Sequence, residues 1–406
     1  MKKVFSALMV LILLVLFAAT FYCSSRTETV FKAQVEQLNQ DYPGLLRVEL
    51  LDYQRGLLVS EARTRIEVQR ETLVLQHQIR HFPWKVQAVS RVATGTELAV
   101  KLTEQGLLEQ LQLQTDIALD GAAISHFDLP ELTITDGDTA LQLHGLSFSA
   151  NLASGMSGGV LKIQLADLAM TEANETLQLE QLQLISEFID QGGLPIGRGE
   201  LQLGSFTVKS VDGGGMELSG LNYSLATELE NEQLASRLEL ALGSLRVGGE
   251  TFSAGELKLA LAGIDAAAAR EIQQEARAVQ ADLLNPQTEP LLLQLQLFGL
   301  YSQLFQEGLS LSLERLSLQG GDGLLQGSGR FELQEMSAAT GGLMSLEALT
   351  GQFHLEFEQS LFSAGFRALD NLQRSGQKSN PAVLNEQAEQ LTGALLQKGF
   401  LTRRDG

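Results

Sequence analysis

The chain has 406 residues, with 29 Lys and Arg against 49 Asp and Glu for a net charge of −20. That field repels phosphate backbones and, at long range, anionic lipid surfaces, so nucleic acid is not an expected partner. Hydrophobic residues make up 44% of the chain and aromatics only 6%, which predicts an aliphatic interior with few stacking platforms, in several units or one elongated architecture.

Lys2 and Lys3 precede an apolar run from Val4 to Tyr22. At 1.5 Å per residue, roughly 19 such residues reach across a hydrocarbon core. The run passes Ala18-Ala19-Thr20 and continues through Phe21 and Tyr22, so residues 1–23 are expected to form a retained signal anchor, with a cleaved signal as the alternative. The lysines then lie on the cytoplasmic side and the rest of the chain outside it. Cys23 follows two bulky aromatics, unlike a lipidation site, and as the single cysteine it forms no internal disulfide.

Ser25 and Glu28 have capping-box spacing, and Val30, Phe31, Val35 and Leu38 share a helical face, which predicts a juxtamembrane helix over 24–42. From Leu46 the period changes to two, as in "LVSEARTRIEV" and "ALQLHGLSFSANL", predicting an N-terminal β region over 43–128. Within it, Gly56 provides a turn or bulge between "LRVELLDY" and "LLVSEARTRIEV".

Residues 129–263 read as duplicated antiparallel repeats with a period of roughly 75 residues. Leu129 to Ser149 matches Leu203 to Ser224 through a Leu-x-Gly-Leu-x-aromatic-Ser core, at Leu143 to Ser149 and Leu218 to Ser224. A helix is predicted over 264–286, from Ala266 to Leu284, stopping before Pro286. Residues 287–360 read as further β structure with a partial third copy from Leu313, and 361–406 as a helical C-terminal part. The closing "GFLTRRDG" reads as the entry to another strand in a truncated chain.

Chemical motifs are sparse. His77 and His81 are four apart and share a strand face, but no Cys lies near them and the intervening residues lack a zinc-protease Glu, so they are expected as ordinary strand-surface histidines. His126, His144 and His354 are isolated. "GMSGG" lacks the spacing of a nucleophile elbow, and "GGDGLLQGSG" reads as a hairpin turn. No catalytic residue, metal ligand or cofactor is expected. Strands such as "ETLQLEQLQL" alternate Leu with Gln, Ser or Glu, so each sheet has one aliphatic face. The expected cover is another sheet or the helices; the alternative is an open, concave aliphatic trough for acyl chains.

Tyr53, Arg55, Gly56, Leu57, Ser60 and Ala62 resemble the Tyr-x-Arg-Gly-apolar-apolar-x-Ser-x-Ala signature of the YdgA-like family, proteobacterial envelope proteins with a domain of unknown function. Ile79, His81 and Pro83 resemble that family's Ile-x-His-Gly-Pro element, with Phe82 in place of Gly. Glu28, Phe31, Val35, Leu38 and Asn39 resemble its post-anchor helix, and Ile264, Asp265 and Ala266 the entry to its mid-chain helix. The resemblance implies a single-pass inner-membrane protein facing the periplasm, with no assigned catalytic residues.

The expected fold is therefore mainly β with α (α+β): elongated antiparallel β repeats with helical insertions behind one N-terminal anchor. The expected role is a non-catalytic envelope scaffold that engages the membrane through its anchor and pairs with itself or with envelope proteins. The alternatives are a carrier of lipid or another apolar ligand, and an extracytoplasmic hydrolase without a recognisable motif.

Overall fold

The computed structural model describes residues 27–33, 35–36, 38–39, 46–68, 71–94, 100, 103, 106, 108–137, 139–173, 175–210, 215–272, 308–321, 323–333, 349–358, 360–361, 363–365, 367–368, 390 and 393. The expected anchor over 1–23, the continuation of the mid-chain helix past residue 272 and most of the segment 361–406 lie outside these. Among the described residues, no helix is long and apolar enough to cross a membrane.

Among the described residues, the period-two alternation read from the sequence becomes sixteen strands in a single sheet whose spatial order is the chain order. They are β1 (Leu46–Gln54), β2 (Val59–Val68), β3 (Glu71–His81), β4 (Lys85–Val92), β5 (Gln112–Ala118), β6 (Ala123–Asp136), β7 (Thr139–Leu152) and β8 (Gly158–Glu172). There follow β9 (Glu175–Gln191), β10 (Leu194–Ser210), β11 (Gly215–Glu230), β12 (Gln233–Val247), β13 (Glu250–Asp265), β14 (Leu309–Gly320), β15 (Gly323–Leu333) and β16 (Leu349–Phe357). The matched repeat segments fall on equivalent hairpins: β6–β7 overlays β10–β11, and the partial copy from Leu313 places the β14–β15 turn on the β6–β7 turn. "LLVSEARTRIEV" does not pair from its first residue. Arg55 to Leu58 form the turn itself, and the register irregularity lies one step earlier, between Leu50 and Asp52.

A second, larger irregularity crosses the sheet. On β7 to β12 the apolar alternation slips by one residue at a common level, occupied by Gly145, Ala166, Gln181, Gly204, Gly220 and Gly243. The pairing registers pass over this level: Leu165 pairs with Leu182 and the next pair is Asp167 with Glu180; Leu203 pairs with Leu221 and the next is Ser205 with Ser219. Every second strand turns there through a positive φ, at Gly145 (64°), Gln181 (54°) and Gly220 (64°), and β13 does so at Ala254 (48°). Because neighbouring strands take up the extra residue together, pairing stays in register. The two residues at a bulge point to one side, so the alternation resumes with its apolar set on the same face as before. Gly220, Gly243 and Ala254 accordingly line a depression of about 520 Å³ together with Asn222, Glu256, Arg315 and Ser317, on the polar side.

The slip line divides the aliphatic face into two panels. Across one run Leu143, Leu168, Leu179, Phe206, Leu218, Leu245 and Phe252, each the direct partner of the next. Across the other run Phe148, Ile163, Leu184, Leu201, Tyr223, Leu240, Leu257 and Leu316, again each partnered to the next.

Helical residues cover this face at three places. Phe31, from helical residues 27–33, packs with Leu50 and Tyr53 over Ala62, Ile79 and Val86. Ala266 and Ala269 pack against Leu194 and Leu234, near the β9–β10 and β11–β12 turns, and the Asp265 carboxylate caps their helix by accepting the Ala268 N–H at 2.7 Å. Leu361, Ala364 and Ala368 cover Val247 and Phe252, held by an Arg367–Glu250 ion pair whose Nε donates at 2.6 Å.

Candidate functional site

Two places on the sheet carry chemistry, and both arise from strand register. The first joins the motif residues. Ser60 on β2 lies opposite Ile79 on β3, and Ala62 opposite His77, so segments some twenty residues apart are brought onto one face. Ser60 and His81 are sealed, at 0% and 3% exposure, and their side chains are linked by a 2.8 Å hydrogen bond between Oγ and Nε2. The Gly56 N–H donates to Ser60 Oγ at 3.1 Å, and Ser60 Oγ donates to the Gly56 carbonyl at 3.3 Å. A Cβ on Gly56 would collide with the Val59 carbonyl, so the turn closes this tightly only around glycine.

His81 Nδ1 is buried without a partner. A buried orphan N–H costs more than an orphan lone pair, so the proton belongs on Nε2, donated to Ser60, whose own proton goes to Gly56. One position along, Thr64 Oγ1 meets His77 Nε2 at 2.7 Å and His77 Nδ1 meets Ser90 Oγ at 2.7 Å, which satisfies both ring nitrogens. The Phe31 ring stands edge-on to His77 at 5.4 Å and tilts over Tyr53 at 6.1 Å. Asn39 reaches the outer edge of β1, its Nδ2 donating to the Val48 carbonyl and its Oδ1 accepting the Val48 N–H, both at 2.7 Å.

The surroundings hold these groups neutral. Burial pushes His77 down to about 4. Burial first, and then the Arg55 charge, lowers His81. Tyr53 is raised by burial, against a smaller opposite effect of the Ser60 hydroxyl, although its own hydroxyl is sealed and makes no hydrogen bond of good geometry. His77 and His81 are thus not surface histidines, as the sequence suggested: β3 turns that face toward the helix, and the hydroxyls of three neighbouring strand positions supply the partners. Ser60 and His81 have the residue types of a hydrolytic pair but neither solvent access nor a carboxylate on His81 Nδ1, both of which nucleophilic catalysis needs. Arg55 and Leu57 lie in the β1–β2 turn, Arg55 exposed and Leu57 half-buried, and Pro83 lies in the β3–β4 turn, where the Phe82 N–H donates to the Lys85 carbonyl at 2.9 Å. Thr64 and Ser90 escaped the sequence reading. Their one signal is that they continue the period-two series of buried positions.

A neutral buried His77 makes stability fall in acid. Below an unfolded value near 6.5 the unfolded chain binds a proton that the folded imidazole refuses until about 4, so this stabilisation is complete above pH 6.5 and is lost as pH drops. Between pH 7 and pH 5 we expect a loss of about 2 kcal/mol in denaturant titrations, to which His81 adds in the same direction. His77→Gln, which keeps a donor and an acceptor, should flatten the profile. A wild-type profile already flat over that window would contradict the neutral assignment.

The second place is the aliphatic face between the covering helices. Leu143, Leu168, Leu179, Leu184, Leu201 and Tyr223 are each half-buried, flanked by their neighbours within the sheet. No second sheet lies over them among the described residues; of the expected cover, another sheet or the helices, the helical residues supply the three patches already described. A depression of about 820 Å³ lies on the opposite face, among Val160, Glu187, Arg198, Ser224, Glu228, Arg237 and Glu239. Among the described residues, the aliphatic rows form an open surface rather than a walled pocket. Among the described residues, no cluster of three or more His, Cys, Asp or Glu could hold a metal ion.

Fold and site together define a single-layer antiparallel meander with one aliphatic face, partly covered by helices and carrying a sealed Ser/His layer at its first strands. The chain belongs to the family described as bacterial protein of unknown function (DUF945), whose model matches residues 1–406. No curated protein and no solved structure matches it.

Proposed function

We propose that this is a non-catalytic, membrane-anchored envelope protein that holds acyl chains on the aliphatic face of its sheet. The observation that carries the reading is the pair of unbroken cross-strand rows. They are apolar throughout, aliphatic except at Phe148, Phe206, Tyr223 and Phe252, and rows over seven or eight strands at a spacing of about 4.8 Å extend on the order of 30 Å, the scale of extended acyl chains. Methylene chains need continuous apolar surface and no directional partners, which such rows supply. The net charge of −20 favours lipids with zwitterionic or uncharged head groups. The apolar run over 4–22 and the resemblance to YdgA-like envelope proteins support an inner-membrane anchor with the sheet in the periplasm. The sealed Ser60 and the His81 Nδ1 that lacks a carboxylate support a structural rather than a catalytic role for the motif residues.

A photoreactive residue at Leu184, on the aliphatic side, should cross-link to labelled phospholipid in intact envelopes, and one at Gln183, on the polar side, should do so at least about tenfold less. Equal labelling at both positions, or none at Leu184, would refute the reading.

A further inference from the structure

We infer that this protein forms a two-fold dimer by pairing β16 with β16 of a second copy, antiparallel and centred on Phe353. The two edges of the sheet are treated differently. The Asn39 amide caps the β1 edge at Val48, a device that blocks strand addition. At the other end, β16 pairs only with β15 among the described strands, and residues 350–354 are all exposed. Phe353 is 50% exposed, although its ring already stacks on Phe331 at 6.2 Å and lies against Gly329.

The stretch 351–355 is also suited to its own reverse. Antiparallel pairing about Phe353 sets phenylalanine beside phenylalanine, Gln352 beside His354 and Gly351 beside Leu355 of the second copy. In a chain of net charge −20 this stretch contains no carboxylate, so no like charges meet across the axis. Self-addition of this kind also closes: the two-fold contact uses the β16 edge of both copies, so the product is a dimer and not a fibre. A two-fold axis perpendicular to the sheet keeps Phe353, Phe331 and the aliphatic face of both copies on the same side. The inference stands independently of what that face carries.

The test uses the full chain in detergent micelles. Sedimentation should show a dimer, and Phe353→Cys in a Cys23→Ser background should form a disulfide between copies on mild oxidation. Phe353→Lys and Phe353→Glu should each weaken the dimer at least tenfold by placing like charges at the axis. Mixing the two variants should restore association. A monomeric wild type, a dimer that neither cross-links at position 353 nor responds to either charge, or open-ended oligomers would each overturn the inference.

Discussion

Ile79→Ala is expected to lower the stability of the first four strands by about 2–5 kcal/mol. Ile79 is 1% exposed, pairs with Ser60 and Ala88 on either side, and clusters with Ala62 and Val86, against which Phe31, Leu50 and Tyr53 pack. Truncation leaves a cavity that cannot collapse, because β2, β3 and β4 are held at fixed spacing by their hydrogen bonds. The loss also opens a path to His81 and Ser60, whose sealed pairing depends on the same packing. The single tryptophan, Trp84, stacks on Phe82 in the adjoining turn, so urea titration followed by its fluorescence reports on this region. Leu57→Ala, in the half-buried turn, should cost under about 1 kcal/mol. If the two substitutions proved equal, the cluster would not be the local core.

Deleting Gly220 should do more damage than any substitution at that position. Without the extra residue, Leu221, Tyr223 and Leu225 exchange faces with Asn222 and Ser224, while β10 and β12 on either side keep the original register. Each displaced apolar side chain forfeits on the order of 1–2 kcal/mol, and the exposed polar positions are filled by leucines. β11 is interior to the sheet and has no free edge along which to slip. We expect loss of the native sheet across β10 to β12, read as hydrogen exchange approaching that of the unfolded chain. Gly220→Asn, which tolerates a positive φ, should change stability by less than about 1 kcal/mol. Gly220→Val should cost more, because a β-branched side chain resists the φ of 64° that Asn accepts, and its extra Cγ crowds the Gly243 backbone, where a Cβ already lies 3.3 Å from the Gly243 Cα. A deletion variant that melts within a few degrees of wild type would show that the slip line does not set the faces.

The slip line was present in the sequence as "LQLHGLSF", "LQLEQLQL" and "MELSGLNY", in each of which the leucine spacing breaks once from two to three. In the sequence it is a shared motif and not a change of register, because a single segment does not show that its neighbours slip at the same level. That became visible only when pairing placed Gly145, Gln181 and Gly220 on alternate strands of one line.

Local chemistry determined the rest of what was legible. Alternation marked the strands, glycine and proline marked the turns at Gly56 and Pro83, and Ser60, Ala62, Ile79 and His81 stood out as motif residues before their partners were known. Tertiary structure decided that Ser60 meets His81 and that Thr64 and Ser90 enclose His77, contacts made across β2, β3 and β4. It also decided that the described strands form one sheet, with the described helical residues over part of its aliphatic face. The physical reason is the same in each case. Period, turn propensity and charge are properties of neighbouring residues, whereas register, burial and the cover of a face depend on which distant strand lies alongside.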